Sequence, residues 1–284
     1  MTAEWMRSSG RSEWLRLAMA HSDTLRLPEP LLGGFGHDAR SLLSSPCRVN
    51  PGFVSYLERK YHKVVHLVDF MAACGATGSA EAVVEACEVF ASGSARQWLK
   101  IAGDEKAILV DSYLIARPDR APGVVAEFGA FVGYSCVRMA RRASTAGRPC
   151  RVISLEADAV HVAVARHAAL EGRQSMAVEV WPGLAHDSVR RLADEWGHDS
   201  VAFAFMDHRG TRFHCELAAL QRLRLLPPGA QFLADNTLKP GAPVLLWNFE
   251  HMPSPAPAAA INWSVPEFIS SSCEDWMTAW DGCL

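Results

Sequence analysis

The sequence has no Cys-x-x-Cys pair, no Gly-x-Ser-x-Gly elbow, no His-Glu-x-x-His helix motif and no Gly-x-Gly-x-x-Gly fingerprint. These absences remove the residues on which a zinc ribbon or dithiol redox centre, a serine hydrolase, a zinc peptidase or a dinucleotide reader depends. His62 and His66 do stand four apart, but the glutamate between them is missing, so they read as a surface pair. No single charge dominates: 28 Lys and Arg face 31 Asp and Glu, too even a balance to bind nucleic acid by charge alone. No apolar run approaches the length of a membrane span. The N-terminal stretch carries Glu4, Glu13 and Asp23 in place of an apolar signal core. The expectation is a cytoplasmic monomer with no membrane, nucleic-acid or obligate protein partner. Its scattered cysteines (47, 74, 87, 136, 150, 215, 273 and 283) are expected to be free thiols.

What is present is an ordinary globular chain of 284 residues, 49% hydrophobic and 21% charged. Residues 1–56 are broken by Pro28, Pro30, Gly33-Gly34, Pro46 and Pro51 and read as an irregular extension; 57–284 read as the main domain. Three helices are predicted first: one from Leu57 with Val64, Val65, Leu67, Val68 and Met71 inward, one with Val83, Val84, Cys87, Val89 and Phe90 inward, and one over 106–116. The period then changes. Strands at 123–128, 151–155, 177–181, 201–206 and 230–234 alternate with helices at 134–143, 158–170, 187–196 and 215–223. Such alternation implies an α/β fold with a mostly parallel sheet covered by helices on both faces. The tail after Gly241 adds strand candidates at 244–247 and 276–280, and 253–260 is a Pro/Ala-rich loop candidate.

The first strand ends in Glu127-Phe128-Gly129-Ala130-Phe131-Val132-Gly133-Tyr134-Ser135. The loop is G-x-x-x-G and follows a carboxylate, which would repel a pyrophosphate. A second acid, Glu156, ends the next strand, where an acid commonly holds ribose hydroxyls. A ligand with an ammonium, a sulfonium, a ribose and no phosphate fits better, and S-adenosylmethionine is such a ligand. Asp207 follows the fourth strand, and Asp235-Asn236 follow the fifth. Each alone suits a helix N-cap. Together, at neighbouring strand ends, they form a hard-oxygen set that suits Mg²⁺.

Several stretches carry a resemblance to a known family: Val84-Glu85-Ala86, Gly103-Asp104-Glu105-Lys106, Glu127 to Arg141 (EFGAFVGYSCVRMAR), Met206-Asp207-His208, Leu233 to Asn236 and Pro240 to Pro243. From about Lys60 onward the chain resembles catechol O-methyltransferase. The resemblance implies a Rossmann-like class I methyltransferase with a seven-stranded, mostly parallel sheet. It implies transfer of a methyl group from S-adenosylmethionine to a hydroxyl of a small catechol-like substrate with Mg²⁺ assistance. In this reading Ala102, Glu127, Gly129, Tyr134, Ser135, Glu156, His186 and His208 contact the cofactor, and Asp207, Asp235 and Asn236 bind the metal. Trp98 and Pro240 flank the substrate.

The sequence departs from the family where the chemistry is done. Gly210 stands where the family has a lysine base, Arg209 replaces a tryptophan, and Lys100 replaces the methionine near the reactive methyl. Asp275 stands where the family has the glutamate that binds the second catechol hydroxyl, and Ala185-His186 replace a serine-glutamine pair. Two expectations follow. Either Lys100, buried beside the sulfonium, takes over as base, or the protein is a catalytically weak cofactor-binding relative with a regulatory role.

Overall fold

The structure is a computed structural model that describes residues 51–92, 99–119, 123–251, 262–264 and 277–281. Three helices come first: α1 (Pro51–Ala73), α2 (Ala80–Ser92) and α3 (Asp104–Ala116). The alternating region follows as β1 (Val124–Phe128), α4 (Tyr134–Thr145), β2 (Arg151–Glu156), α5 (Ala159–Glu171), β3 (Val178–Pro182), α6 (Ala185–Trp196), β4 (Val201–Met206), α7 (Phe213–Arg222) and β5 (Gln231–Asp235). A short 3₁₀ turn, Gly210–Arg212, leads into α7, and a wide turn, Thr237–Gly241, leads into α8 (Pro243–His251). Strands β6 (Asn262–Ser264) and β7 (Met277–Asp281) complete the sheet in the order β3-β2-β1-β4-β5-β7-β6. The first five strands run parallel, while β7 is antiparallel to both β5 and β6.

Strands β1 to β5 are largely buried on both faces, which is why their sequences are nearly continuous apolar runs. Strand pleating assigns β1 to two cores. Val125 joins the layer under α1 to α5, and Val124, Ala126 and Phe128 join the layer under α6 to α8. Local chemistry sets several ends. Asp158 caps α5 through its side chain, accepting from the Val160 backbone N–H at 3.0 Å.

The structure corrects three details. Helix α1 begins at Pro51, inside the stretch expected to be irregular, because proline lacks only an N–H that the first turn leaves unpaired anyway. Residues 244–247 are helical rather than a strand: Pro243 opens α8, Leu245 is buried, and Val244 and Trp247 face outward. A short apolar run cannot distinguish helix from strand by period. Val89, expected inward, is exposed at 49%, because Ala86 and Cys87 fill that face instead. Five cysteines (74, 87, 136, 150 and 215) are free, and the other three lie outside the described residues. No helix among the described residues is long and apolar enough to cross a membrane.

Candidate functional site

The site residues gather where parallel strands end. β1 and β4 run in register from Val125–Phe203 up to the Phe128–Met206 pair, and β4 and β5 up to Met206–Ala234. The residues that follow, Gly129, Asp207 and Asp235, therefore sit side by side at the carboxyl edge, where open parallel sheets bind ligands. The Asp207 backbone N–H donates to the Phe128 carbonyl at 2.9 Å. At Gly129, with φ at +109°, an added Cβ would lie 2.6 Å from the Asp207 carbonyl oxygen. Only glycine lets the loop after β1 lie this close to the β4 end.

Glu127 projects from β1 into the layer under α4 and is fully buried. Its Oε2 accepts from the Ser154 hydroxyl, and the Ser135 hydroxyl also hydrogen-bonds to the carboxylate. Burial raises its pKa to about 7; the two serine hydrogen bonds oppose the rise, and the charge of Glu156 adds to it. Oε1 has no protein partner. An unpaired buried acceptor costs about 1–3 kcal/mol, and a bound cationic donor would recover it.

Glu156 ends β2 and grips the same loop. It accepts from the Phe131 N–H at 2.9 Å and from the Asp158 N–H at 2.8 Å. His161 packs edge-on against Phe131 at 4.9 Å and lies 3.9 Å from Glu156. Two backbone donors thus fix the carboxylate that was expected to meet a ribose. The Tyr134 hydroxyl donates to Glu88 of α2 at 2.6 Å, and Arg138 bridges Glu88 and Asp111 at 3.2 and 2.8 Å. Burial, then the Glu88 contact, raises the Tyr134 hydroxyl pKa.

His208 packs on Phe128 and Phe213, with ring centroids 5.7 and 5.0 Å away. Neither ring nitrogen has a hydrogen-bond partner, and Nε2 is 3.8 Å from the buried Glu216 carboxylate. Ala102 is buried, and His186 opens α6 in an exposed position.

Asp235 is nearly fully buried, and Asn236 follows it in the left-handed conformation at φ +58°. The Asn236 N–H donates to Asp235 Oδ1 at 2.6 Å. Asp235 has a partner that sequence reading missed. The Lys106 ammonium, from the first turn of α3, lies 3.0 Å from Oδ1 and 3.1 Å from Oδ2. The two residues are 129 positions apart, so no local pattern could reveal the pair. Among the described residues no group of three or more His, Cys, Asp or Glu is placed to hold a metal. The candidate set Asp207, Asp235 and Asn236 comprises two carboxylates and an amide, all hard oxygen donors of the kind Mg²⁺ takes.

Lys100 is exposed, just ahead of α3. Pro240 is exposed on the wide turn after β5. Trp98 and Asp275 lie outside the described residues. At Gly210 a Cβ would lie 2.5 Å from the Gly241 carbonyl oxygen and 3.3 Å from the Ala242 Cβ, so a side chain at the position where the resembled family has a lysine would require one of these backbones to move.

No family profile matches the chain. The chain is 31% identical over 170 residues to bovine (Bos taurus) "Catechol O-methyltransferase", covering 60% of this chain and 59% of the relative. It is 31% identical over 148 residues to "Catechol O-methyltransferase" of Sus scrofa, covering 51% of this chain and 74% of the relative. The chain spans about three fifths of the length of the mouse, bovine and Danio rerio relatives. Among solved structures, the O-methyltransferase TomG from Streptomyces achromogenes matches with a TM-score of 0.55 and 20% identity, covering 71% of this chain and 90% of that one. An O-methyltransferase from Bacillus cereus matches with a TM-score of 0.51 and 21% identity, covering 70% and 90%. These two likenesses concern the fold, whereas the porcine match combines identity with coverage and fixes the family. The chain belongs to the catechol O-methyltransferase family.

Proposed function

We propose that this protein transfers a methyl group from S-adenosylmethionine to a hydroxyl of a small catechol-like substrate, with Mg²⁺ at the strand ends. The observation that carries the proposal is Glu127: a fully buried carboxylate with an unpartnered oxygen, beside a loop whose glycine lies against the Asp207 backbone. A phosphate would be repelled there, and an ammonium would be held. The two solved structures named above, alike in fold, were solved with S-adenosylhomocysteine and with S-adenosylmethionine, which agrees with this choice.

In the proposed reaction, Glu127 holds the cofactor's ammonium through Oε1. Glu156, fixed by two backbone donors, offers its remaining lone pairs to the ribose hydroxyls. Asp207, Asp235 and Asn236 would hold Mg²⁺, which when bound lowers the pKa of a coordinated hydroxyl. The residues contribute mostly by bringing methyl donor and acceptor together in line.

A second reading has its own support. The crowded position at Gly210 leaves the usual base without a site, which favours a cofactor-binding relative that transfers methyl groups slowly. The experiment is transfer of a labelled methyl group from S-adenosylmethionine to a panel of catechols, with Mg²⁺ and then with chelator. Metal-dependent product supports the first reading. Cofactor binding without product selects the second.

A further inference from the structure

The pair formed by Lys106 and Asp235 has no role in the mechanism above. The Asp235 side chain is 4% exposed and that of Lys106 17%, and the ammonium contacts both carboxylate oxygens at 3.0 and 3.1 Å. Asp207 follows the neighbouring strand end, one residue beyond the Met206–Ala234 register pair. Two carboxylates side by side at a sheet edge repel each other unless a cation lies between or beside them. A buried charge left uncompensated is costly, and lysine, a compact point charge with three donors, compensates one here.

We propose that Lys106 is a resident cation of this acidic edge and competes with a divalent metal ion for Asp235. The inference rests on the proposed assignment of Asp235 as a metal ligand. When the metal is absent, the ammonium neutralises Asp235 and holds its carboxylate in place. A metal ion that takes Asp235 brings two positive charges against a third, so the carboxylate must be shared or the lysine displaced. Lys106 thereby sets the metal concentration at which the site fills, separately from the cofactor pocket around Glu127.

The test is Mn²⁺ binding to the full chain, followed by electron paramagnetic resonance. Lys106→Met and Lys106→Gln should each tighten Mn²⁺ binding at least tenfold, while Lys106→Arg, which keeps the charge, should stay within about threefold of wild type. Equal or weaker binding in both neutral variants overturns the proposal. A measurement on the wild type guards against variants that fail to fold. With ¹³C-labelled lysine, and the Lys106 signal assigned through Lys106→Arg, saturation with Mg²⁺ should shift the Lys106 ε resonance; no shift overturns the proposal. Calorimetric binding of S-adenosylhomocysteine to wild type is measured alongside. Its loss would sink the methyltransferase reading without altering the Mn²⁺ comparison.

Discussion

Gly210 packs face to face with Gly241: a Cβ on Gly210 would lie 2.5 Å from the Gly241 carbonyl oxygen. The contact joins the turn before α7 to the wide turn after β5. Gly210→Ala must push one of these backbones away, and overpacking of this kind costs about 1–3 kcal/mol. Gly210→Lys should melt at a lower temperature than wild type and gain no methyl transfer. A thermal melt and the labelled-methyl assay check both. A stable, more active Gly210→Lys would mean that the two turns separate freely.

Glu127 predicts a pH dependence with a defined direction. Its folded-state pKa is raised from 4.5 to about 7, so the folded protein keeps this proton to higher pH than the unfolded chain. The contribution to stability is complete below the unfolded value and is lost as pH rises through about 7. Glu127→Gln should match wild type near pH 4.5 and exceed it by up to roughly 3 kcal/mol at pH 8 in the absence of cofactor. Denaturant melts at the two pH values measure the difference, and an equal gap at both would contradict the assignment.

The same carboxylate should govern cofactor binding. The ammonium requires ionised Glu127, so affinity for S-adenosylhomocysteine is expected to fall about tenfold per pH unit below pH 7. Glu127→Gln should weaken binding at pH 8 at least tenfold and flatten the profile. Calorimetry across pH 5.5–8.5, a window that brackets the raised value, is the measurement.

Tyr134 separates support from contact. Its hydroxyl already donates to Glu88 at 2.6 Å. Tyr134→Phe is therefore expected to cost about 1 kcal/mol of stability, an ordinary net hydrogen bond, and to change cofactor affinity less than threefold. A large loss of affinity at unchanged stability would place the hydroxyl on the ligand.

Lys100 is exposed ahead of α3. Lys100→Met is expected to leave turnover within about threefold of wild type. Loss of a true general base costs about 10²–10⁴-fold, so a drop of that size would return the role to Lys100.

Much of this protein was decided by local sequence. Alternating apolar runs and helical stripes determined the five parallel strands and the helices between them, because period and turn chemistry act over a few residues. They also placed Glu127, Glu156, Asp207 and Asp235 at strand ends, since a residue just after a buried parallel strand must emerge at the carboxyl edge. The Val244–Trp247 run is ambiguous in sequence, because four apolar residues fit either period. Only the tertiary structure decided what those strand-end residues meet. It brought Lys106 onto Asp235 across 129 positions, turned Lys100 to solvent, gave the Tyr134 hydroxyl to Glu88, and closed Gly210 against Gly241. Each of these depends on the packing of segments far apart in the chain, and no local pattern specifies such a distance.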